Sequence, residues 1–286
     1  NEVIEKIKFY DPECICEIIQ MESEGDLTDA PLHTIGGKGL FVSKLEAALA
    51  NGVADIAVHS LKDVPAKIDS QFSIAATLPR EAEGDALLLR DGLTIDDLSE
   101  NLKIATSGPR RKSQLLAMNS KLNIVPIRGN IQTRINKMND ENLDGLIVAK
   151  AALNRLKISH PNMYLFSEDQ MLPAAAQGAI GIEVNSIELE SDIGNLLKLL
   201  NDESTHQATE IERRVVASLE GHCLSPISAL CKIDSQDAEL KVRVSNQDGT
   251  KVYNEAIRFK LKNKIDALQG FIETLIRNGA KEIIQQ

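Results

Sequence analysis

A chain of 286 residues, with 43% hydrophobic and 26% charged residues, has the length for two or three domains with proper cores and the balance of an ordinary globular protein. Its formal net charge of −10 excludes a general affinity for nucleic acid, and no apolar run approaches the roughly 20 residues of a membrane span. The start has no signal-peptide pattern, and with reduced thiols this points to the cytoplasm.

Glu2 to Tyr10 has helical spacing and ends at Asp11-Pro12. Cys14 to Met21 reads as a strand with Cys14 and Cys16 on one face; Cys231 shares a strand face with Ile227, Ala229 and Ile233. These three cysteines read as small core residues, and no cysteine spacing suits a zinc site, so no metal is expected. A polar loop follows, then Gly36-Gly37-Lys38-Gly39-Leu40-Phe41 runs into a helix from Val42 to Ala50. This is not a phosphate loop, because the Gly-Lys-Ser/Thr ending is absent; alone it is a flexible connection or a ligand loop.

Ile56-Ala57-Val58 reads as a strand buried on both faces, as in a parallel sheet. It stops at His59-Ser60, and Lys62-Asp63 follow before Pro65. Ligands of open α/β sheets collect outside the carboxyl ends of strands, so Lys62 and Asp63 stand either at a site or in a solvated turn with an ordinary ion pair. Phe72 to Leu78 is a further strand, and Pro79 to Asp85 looks like a crossing into another domain.

From Ala86 to about Leu172 strands and helices alternate, which predicts a parallel sheet covered by helices. The strands are Lys103–Thr106, Asn123–Ile127 and Leu143–Ala149. At or soon after each carboxyl end stand arginines: Arg110 and Arg111, then Arg128 and Arg134, then Arg155. Singly, each reads as a surface residue. Together, with free N–H groups at helix starts, they predict a pocket for a ligand bearing several carboxylates or phosphates. Leu172 to Glu183 is a small-residue hinge and a strand that can rejoin the first sheet, followed by a helix near Asp192 to Asn201. The remainder reads as a helix to Leu219, a loop holding Cys223, three strands (Ile227–Ile233, Glu239–Ser245, Lys251–Phe259) with Asp248-Gly249 as a hairpin turn, and a final helix. This is a small α+β domain.

Ala-Asp-Ile-Ala-Val-His-Ser-Leu-Lys-Asp-Val-Pro, Gly-Gly-Lys-Gly-Leu-Phe, Arg-Gly-Asn-Ile-Gln-Thr-Arg, Leu-Pro-Ala-Ala-Ala-Gln-Gly-Ala-Ile-Gly-Ile-Glu and Glu-Gly-His-Cys occur in that order. In these motifs the chain resembles the hydroxymethylbilane synthase (porphobilinogen deaminase) family over nearly its whole length. The resemblance implies an α/β protein with two lobes like those of a periplasmic binding protein plus a C-terminal α+β domain with a three-stranded antiparallel sheet. The implied division is 1–79 with 179–200, then 80–178, then 201–286. It implies a transferase, a cytoplasmic monomer, that condenses four porphobilinogen molecules head to tail, with loss of ammonia, into a linear tetrapyrrole for heme biosynthesis. It implies a dipyrromethane cofactor held as a thioether by Cys223. Asp63 matches the catalytic carboxylate, expected to be buried and kept ionised by its cationic neighbours. Lys62, Arg110, Arg111, Arg128, Arg134 and Arg155 match the binders of acetate and propionate groups. Ser60, Thr106 and Ser107 match polar pocket lining, Phe41 an aromatic near the growing chain, Lys38 the glycine loop, and Gln177 and Gly178 the hinge.

The sequence departs from the family in places. The family's opening strand and Arg-Gln-Ser-Pro-Leu-Ala turn are not in it, so the first sheet is expected to lack a strand and the pocket an arginine and a glutamine. Thr34 stands where some members have lysine. Ser107-Gly108-Pro109-Arg110 replaces Ser-Ser-Leu-Arg, and His222, Leu224 and Ser225 alter the loop around Cys223. On the residues alone the rival is a non-catalytic two-lobe binder of a small anion, which needs neither the Cys223 loop nor the third domain.

Overall fold

The computed structural model describes residues 1–21, 42–98, 102–222 and 224–286. Its elements run in chain order as follows. Helix α1 (Glu2–Tyr10) carries Glu2 and Glu5 in its first turn, where the helix dipole favours them, and buries Val3 and Ile7 at i, i+4 spacing. Helix α2 (Ser43–Ala50) leads to strands β1 (Ala57–Ser60) and β2 (Phe72–Thr77). After a first crossing come β3 (Asp85–Leu89), β4 (Lys103–Ala105), α3 (Pro109–Met118), β5 (Asn123–Val125), α4 (Ile131–Asp140), β6 (Gly145–Ala149), α5 (Lys150–Arg155) and β7 (Met163–Leu165). A second crossing returns the chain to β8 (Ile180–Asn185) and α6 (Asp192–Leu200). Then follow α7 (Glu203–Ser218), β9 (Ile227–Asp234), β10 (Asp237–Ser245), β11 (Val252–Lys260), α8 (Lys264–Arg277) and α9 (Ala280–Ile284).

These elements make two α/β lobes and a third α+β unit. In the first lobe β8 lies between β1 and β2 and is antiparallel to both, so the returning chain does rejoin the first sheet. Two sequence expectations are corrected here. Strand β1 is not buried on both faces: among the described residues it sits at the sheet edge with β8 as its single neighbour, Ala57 and His59 turn inward, and Val58 stays 47% exposed. Cys14 to Met21 forms no strand; Cys14 and Cys16 instead lean half-buried on the cluster of Val3, Ile7 and Leu197. Among the described residues this sheet has three strands.

The second lobe has the order β5-β4-β6-β3-β7. Strands β4, β5 and β6 are parallel as expected, but β3 is antiparallel to β6 and β7, so the sheet is mixed. Strands β3 and β6 are buried along their whole length, which their continuous apolar sequences require. Alternate residues feed two cores. Ala86, Leu88, Leu146 and Val148 pack with Met138 of α4 and Leu153 of α5; Leu87, Leu89 and Ile147 pack with Leu115 of α3. Each such side chain contributes about 1.5–3 kcal/mol by burial.

In the third unit β10 is central and antiparallel to β9 and β11. Its inward residues Leu240, Val242 and Val244 pack with Ile211 and Val215 of α7 and Leu268 and Leu275 of α8. Among the described residues no helix is long and apolar enough to cross a membrane.

Candidate active site at the lobe junction

Strands β4, β5 and β6 run parallel, so their carboxyl ends share one edge, and the arginines leave from it. Pro109 opens α3 at its first turn, where its missing N–H costs nothing, and sets Arg110 and Arg111 on the helix start. Both are buried, at 7% and 8% exposure, on the fully buried carboxylate of Asp85, the first residue of β3. Arg111 donates from Nε (2.9 Å) and Nη2 (2.7 Å) to Asp85 Oδ1 and from Nη1 to the Ile147 carbonyl (3.3 Å). Arg110 Nη2 lies 2.8 Å from Asp85 Oδ2, and its Nη1 donates to the Leu172 carbonyl at 2.8 Å. Burial alone would raise the Asp85 pKa, but the two guanidiniums outweigh it and hold the carboxyl at about 2. Asp85 carried no signal of its own in the sequence; a lone aspartate before an apolar strand reads as a crossing residue.

Arg128 follows β5. It is half-buried and makes no hydrogen bond or ion pair with any described residue. Gly129 beside it has φ +108, and a Cβ there would lie 2.7 Å from Thr133 Cγ2, so the turn requires glycine. Asn130 then caps α4 by accepting from the Thr133 N–H at 2.9 Å. Arg134 bends back to donate to the Gly129 carbonyl at 2.7 Å. Arg155, at the end of α5, braces the crossing: Nη2 donates to the Gly178 carbonyl (2.9 Å) and Nε reaches Glu2 of the first lobe (3.3 Å). The five arginines therefore divide. Arg110, Arg111 and Arg155 already hold protein carboxylates, Arg134 is tied to its own loop, and Arg128 has no partner among the described residues.

Across the junction, Leu61, Lys62 and Asp63 form a single helical turn after β1. Lys62 is half-buried; burial pushes its ammonium pKa down, against the pull of Asp63. Its Nζ stands 3.5 Å from Gln177 Oε1, and Gln177 Nε2 donates to Asp85 Oδ1 at 3.0 Å and to the Glu83 carbonyl at 2.7 Å. Lys62, Gln177, Asp85 and the two arginines are thus one connected group spanning both lobes. Gly178, with φ +90, stands in the second crossing where the backbone requires glycine: a Cβ would lie 2.3 Å from the Glu81 carbonyl oxygen. The turn is held from behind by Arg213 of α7, which donates to the carbonyls of Val64 (3.0 Å) and Pro65 (2.7 Å). Burial lowers the Arg213 pKa to about 10. No motif marked Arg213 in the sequence.

The expected burial of Asp63 is corrected: its side chain is exposed, because the turn lifts it off the sheet edge. Ser60 is likewise exposed, and Thr106 is buried with its Oγ1 accepting from the Gly108 N–H at 3.4 Å. Ser107 is half-buried. Its hydroxyl donates to the Ile127 carbonyl and accepts from the Ile127 N–H (2.9 Å), tying the β4 loop to the β5 loop. Lys38, Phe41 and Cys223 lie outside the described residues. The turn flanking Cys223 is closed by the residues that depart from the family: the His222 N–H donates to Ser225 Oγ (3.1 Å), and the Leu224 N–H donates to His222 Nδ1 (3.2 Å). A cavity of about 460 Å³ lined by Glu83, Phe166, Glu168, Met171 and Lys241 shares none of the cationic residues of the junction.

A family model described as porphobilinogen deaminase, dipyrromethane cofactor binding domain, matches residues 1–191. A porphobilinogen deaminase of Maridesulfovibrio salexigens is 36% identical over 287 residues, covering 100% of this chain and 92% of its own. One of Campylobacter curvus is 37% identical over 273 residues, covering 94% of this chain and 87% of its own. Among solved structures, the BvgS VFT2 domain of Bordetella pertussis aligns with 76% of this chain and 81% of its own, at 13% identity and TM-score 0.42. With a matched family model over the first 191 residues and relatives of this identity along the whole length, the chain belongs to the porphobilinogen deaminase family.

Proposed function

We infer that this chain is a hydroxymethylbilane synthase, a transferase that joins four porphobilinogen molecules head to tail at the lobe junction, releasing ammonia and then the linear tetrapyrrole. The observation that carries this reading is Arg128, a half-buried arginine with no partner among the described residues, on the same strand edge as the Arg110–Arg111 pair. A guanidinium fork with no carboxylate of the protein to hold can take a ligand carboxylate in a bidentate pair. Porphobilinogen brings two carboxylates, so every pyrrole added makes the bound chain more anionic and needs further cations.

The residues fit a dipyrromethane, whose carboxylates would meet Arg128, Arg134, Arg110 and Lys62. Bound through a thioether to Cys223, it supplies a covalent primer with a nucleophilic terminal pyrrole carbon. The protein's own groups do the rest. Lys62 and the arginines bind the acetate and propionate groups and fix the orientation of each pyrrole. Asp63 stands at the turn beside Lys62, where an ionised carboxylate stabilises the cation left when porphobilinogen loses ammonia and can accept the proton released on coupling. Its exposure lets successive pyrroles reach it. Residues 1–79 with 179–200 then carry the carboxylate and Lys62, 80–178 the arginines, and 201–286 the primer. A cytoplasmic monomer belongs to the same reading; Cys14, Cys16 and Cys231 are free thiols.

The test is the intact mass of the purified protein. It should exceed the sequence mass by two covalently linked pyrroles, survive denaturation and reductant, and colour with Ehrlich's aldehyde. Cys223→Ser should abolish the extra mass; Cys231→Ser, whose thiol is buried and pushed up to about 12, should keep it. A bare wild-type protein that stays bare after incubation with porphobilinogen decides for a non-catalytic anion binder.

A further inference from the structure

Two of the guanidiniums assigned to ligand carboxylates already share a carboxylate of the protein. Arg110 and Arg111 are adjacent on the first turn of α3, where the helix dipole disfavours cations, and Lys62 adds a third positive charge. Left alone, three like charges would splay into solvent. They do not, because Asp85 stands between them with no exposure at all.

We propose that Asp85 is a positioning residue: through Gln177 it fixes where Lys62, Arg110 and Arg111 stand relative to one another, so the cation cluster is formed before a pyrrole carboxylate arrives. The proposal rests on the junction being the pyrrole site. Three observations carry it. The first is charge. Three cations against one buried carboxylate leave the cluster with two positive charges, so Asp85 holds the cluster together without cancelling its attraction for an anion. The second is the uneven use of the two oxygens. Oδ1 takes Arg111 Nε and Nη2 and Gln177 Nε2, so Arg111, with Nη1 on the Ile147 carbonyl, cannot turn. Oδ2 meets Arg110 Nη2 at 2.8 Å as an ion pair without hydrogen-bond alignment, so Arg110 is held on one side by charge and on the other by its Nη1 bond to the Leu172 carbonyl. The third is reach. Gln177 binds Asp85 with one end of its amide and stands 3.5 Å from Lys62 Nζ with the other, so a side chain of the crossing transmits the position of Asp85 to the first lobe.

A purely structural Asp85 would affect only how much protein folds. A positioning Asp85 affects how well the folded protein binds carboxylates. Carboxylate contacts are made in the ground state and the transition state alike, so misplacing the cations raises KM and spares kcat. The experiment compares wild type, Asp85→Asn and Gln177→Met by thermal unfolding, by KM and kcat for porphobilinogen, and by intact mass of the enzyme-bound pyrrole species after substrate addition. Gln177→Met has similar volume, adds no charge and leaves the Asp85–arginine pairs in place. It should fold and carry the primer mass, raise KM by about tenfold with kcat within about threefold, and shift the bound species toward shorter chains. Asp85→Asn should melt lower and raise KM at least as much. A folded, primer-bearing Gln177→Met with wild-type KM and the wild-type mass pattern overturns the proposal, as does an Asp85→Asn whose loss of activity only follows its folded fraction. If wild type itself neither carries pyrroles nor turns over porphobilinogen, the reading of the junction fails first and takes the proposal with it.

Discussion

Two fully buried carboxylates face the crossings between the lobes, and they are used in opposite ways. Glu212 of α7 takes Arg80 as a fork, Nη1 to Oε1 at 2.6 Å and Nη2 to Oε2 at 3.1 Å, and adds the N–H groups of Cys231 (2.8 Å) and Ala176 (2.6 Å). One cation meets one anion, every oxygen has two donors, and Glu212 drives the Arg80 pKa up against the cost of burial. Asp85 faces two guanidiniums, with one crowded oxygen and one held by an unaligned ion pair. A saturated, neutral pair is a joint and has nothing left to offer a ligand. An undersaturated group with surplus positive charge can still take an anion, which is the role we propose for it.

Breaking the joint should have the largest effect on stability. Glu212→Ala leaves Arg80 buried without its carboxylate and strips two backbone N–H groups of their acceptor, which should cost about 3–5 kcal/mol in urea unfolding. The fraction that stays folded should keep its KM for porphobilinogen within about twofold. A loss under about 1 kcal/mol would show that the joint does not hold the third unit to the crossing. The mirror image is Asp63→Asn. Its side chain is exposed, so unfolding should move by less than about 0.5 kcal/mol. Turnover should fall at least about a hundredfold, equivalent to about 2.7 kcal/mol of transition-state stabilisation. Near-normal turnover would remove Asp63 from the chemistry.

The sequence made the alternating order of β4, β5 and β6 with their helices and the strands of the third unit legible, because Ile104, Ile147 and Val242 sit in apolar runs bounded by turn residues. It did not show β3, whose Leu87 run precedes the first of those strands. It misjudged β1, since an apolar run does not say how many neighbours a strand has. Edge position, not composition, decided that Val58 is exposed. Cys14 to Met21 failed for a related reason: alternation permits a strand, but a strand also needs a partner. At the site, Lys62, Asp63 and the arginines were legible because charge at strand ends is a local signal. Asp85, Arg213 and Glu212 were not, because their roles come from residues far away in the chain: Asp85 meets Arg111 26 positions on, Glu212 meets Arg80 132 positions back, and Arg213 meets Val64 149 back. The exposure of Asp63 depends on a turn held by Arg213, which no local pattern encodes.

The finest test of the comparison is acid. The Asp85 carboxyl binds its proton near 3.8 in the unfolded chain and at about 2 in the folded one, so the unfolded state takes up the proton first as pH falls. Stability from this group is complete above the unfolded value and drains away as pH drops from about 4 to about 2, roughly 2 kcal/mol in all for a shift of that size. Asp85→Asn cannot titrate, so it should lack this part of the acid loss whatever its starting stability. The measurement is the free energy of urea unfolding at closely spaced pH values from 5 to 2, compared as slopes, so that the lower baseline of the variant drops out. Wild type should show the steeper fall below pH 4 by close to one proton's worth. Parallel curves would mean that Arg110 and Arg111 do not hold Asp85 ionised. The pairing that holds the cluster together would then be missing, because a protonated Asp85 raises the surplus from two positive charges to three and leaves two arginines side by side with no anion between them.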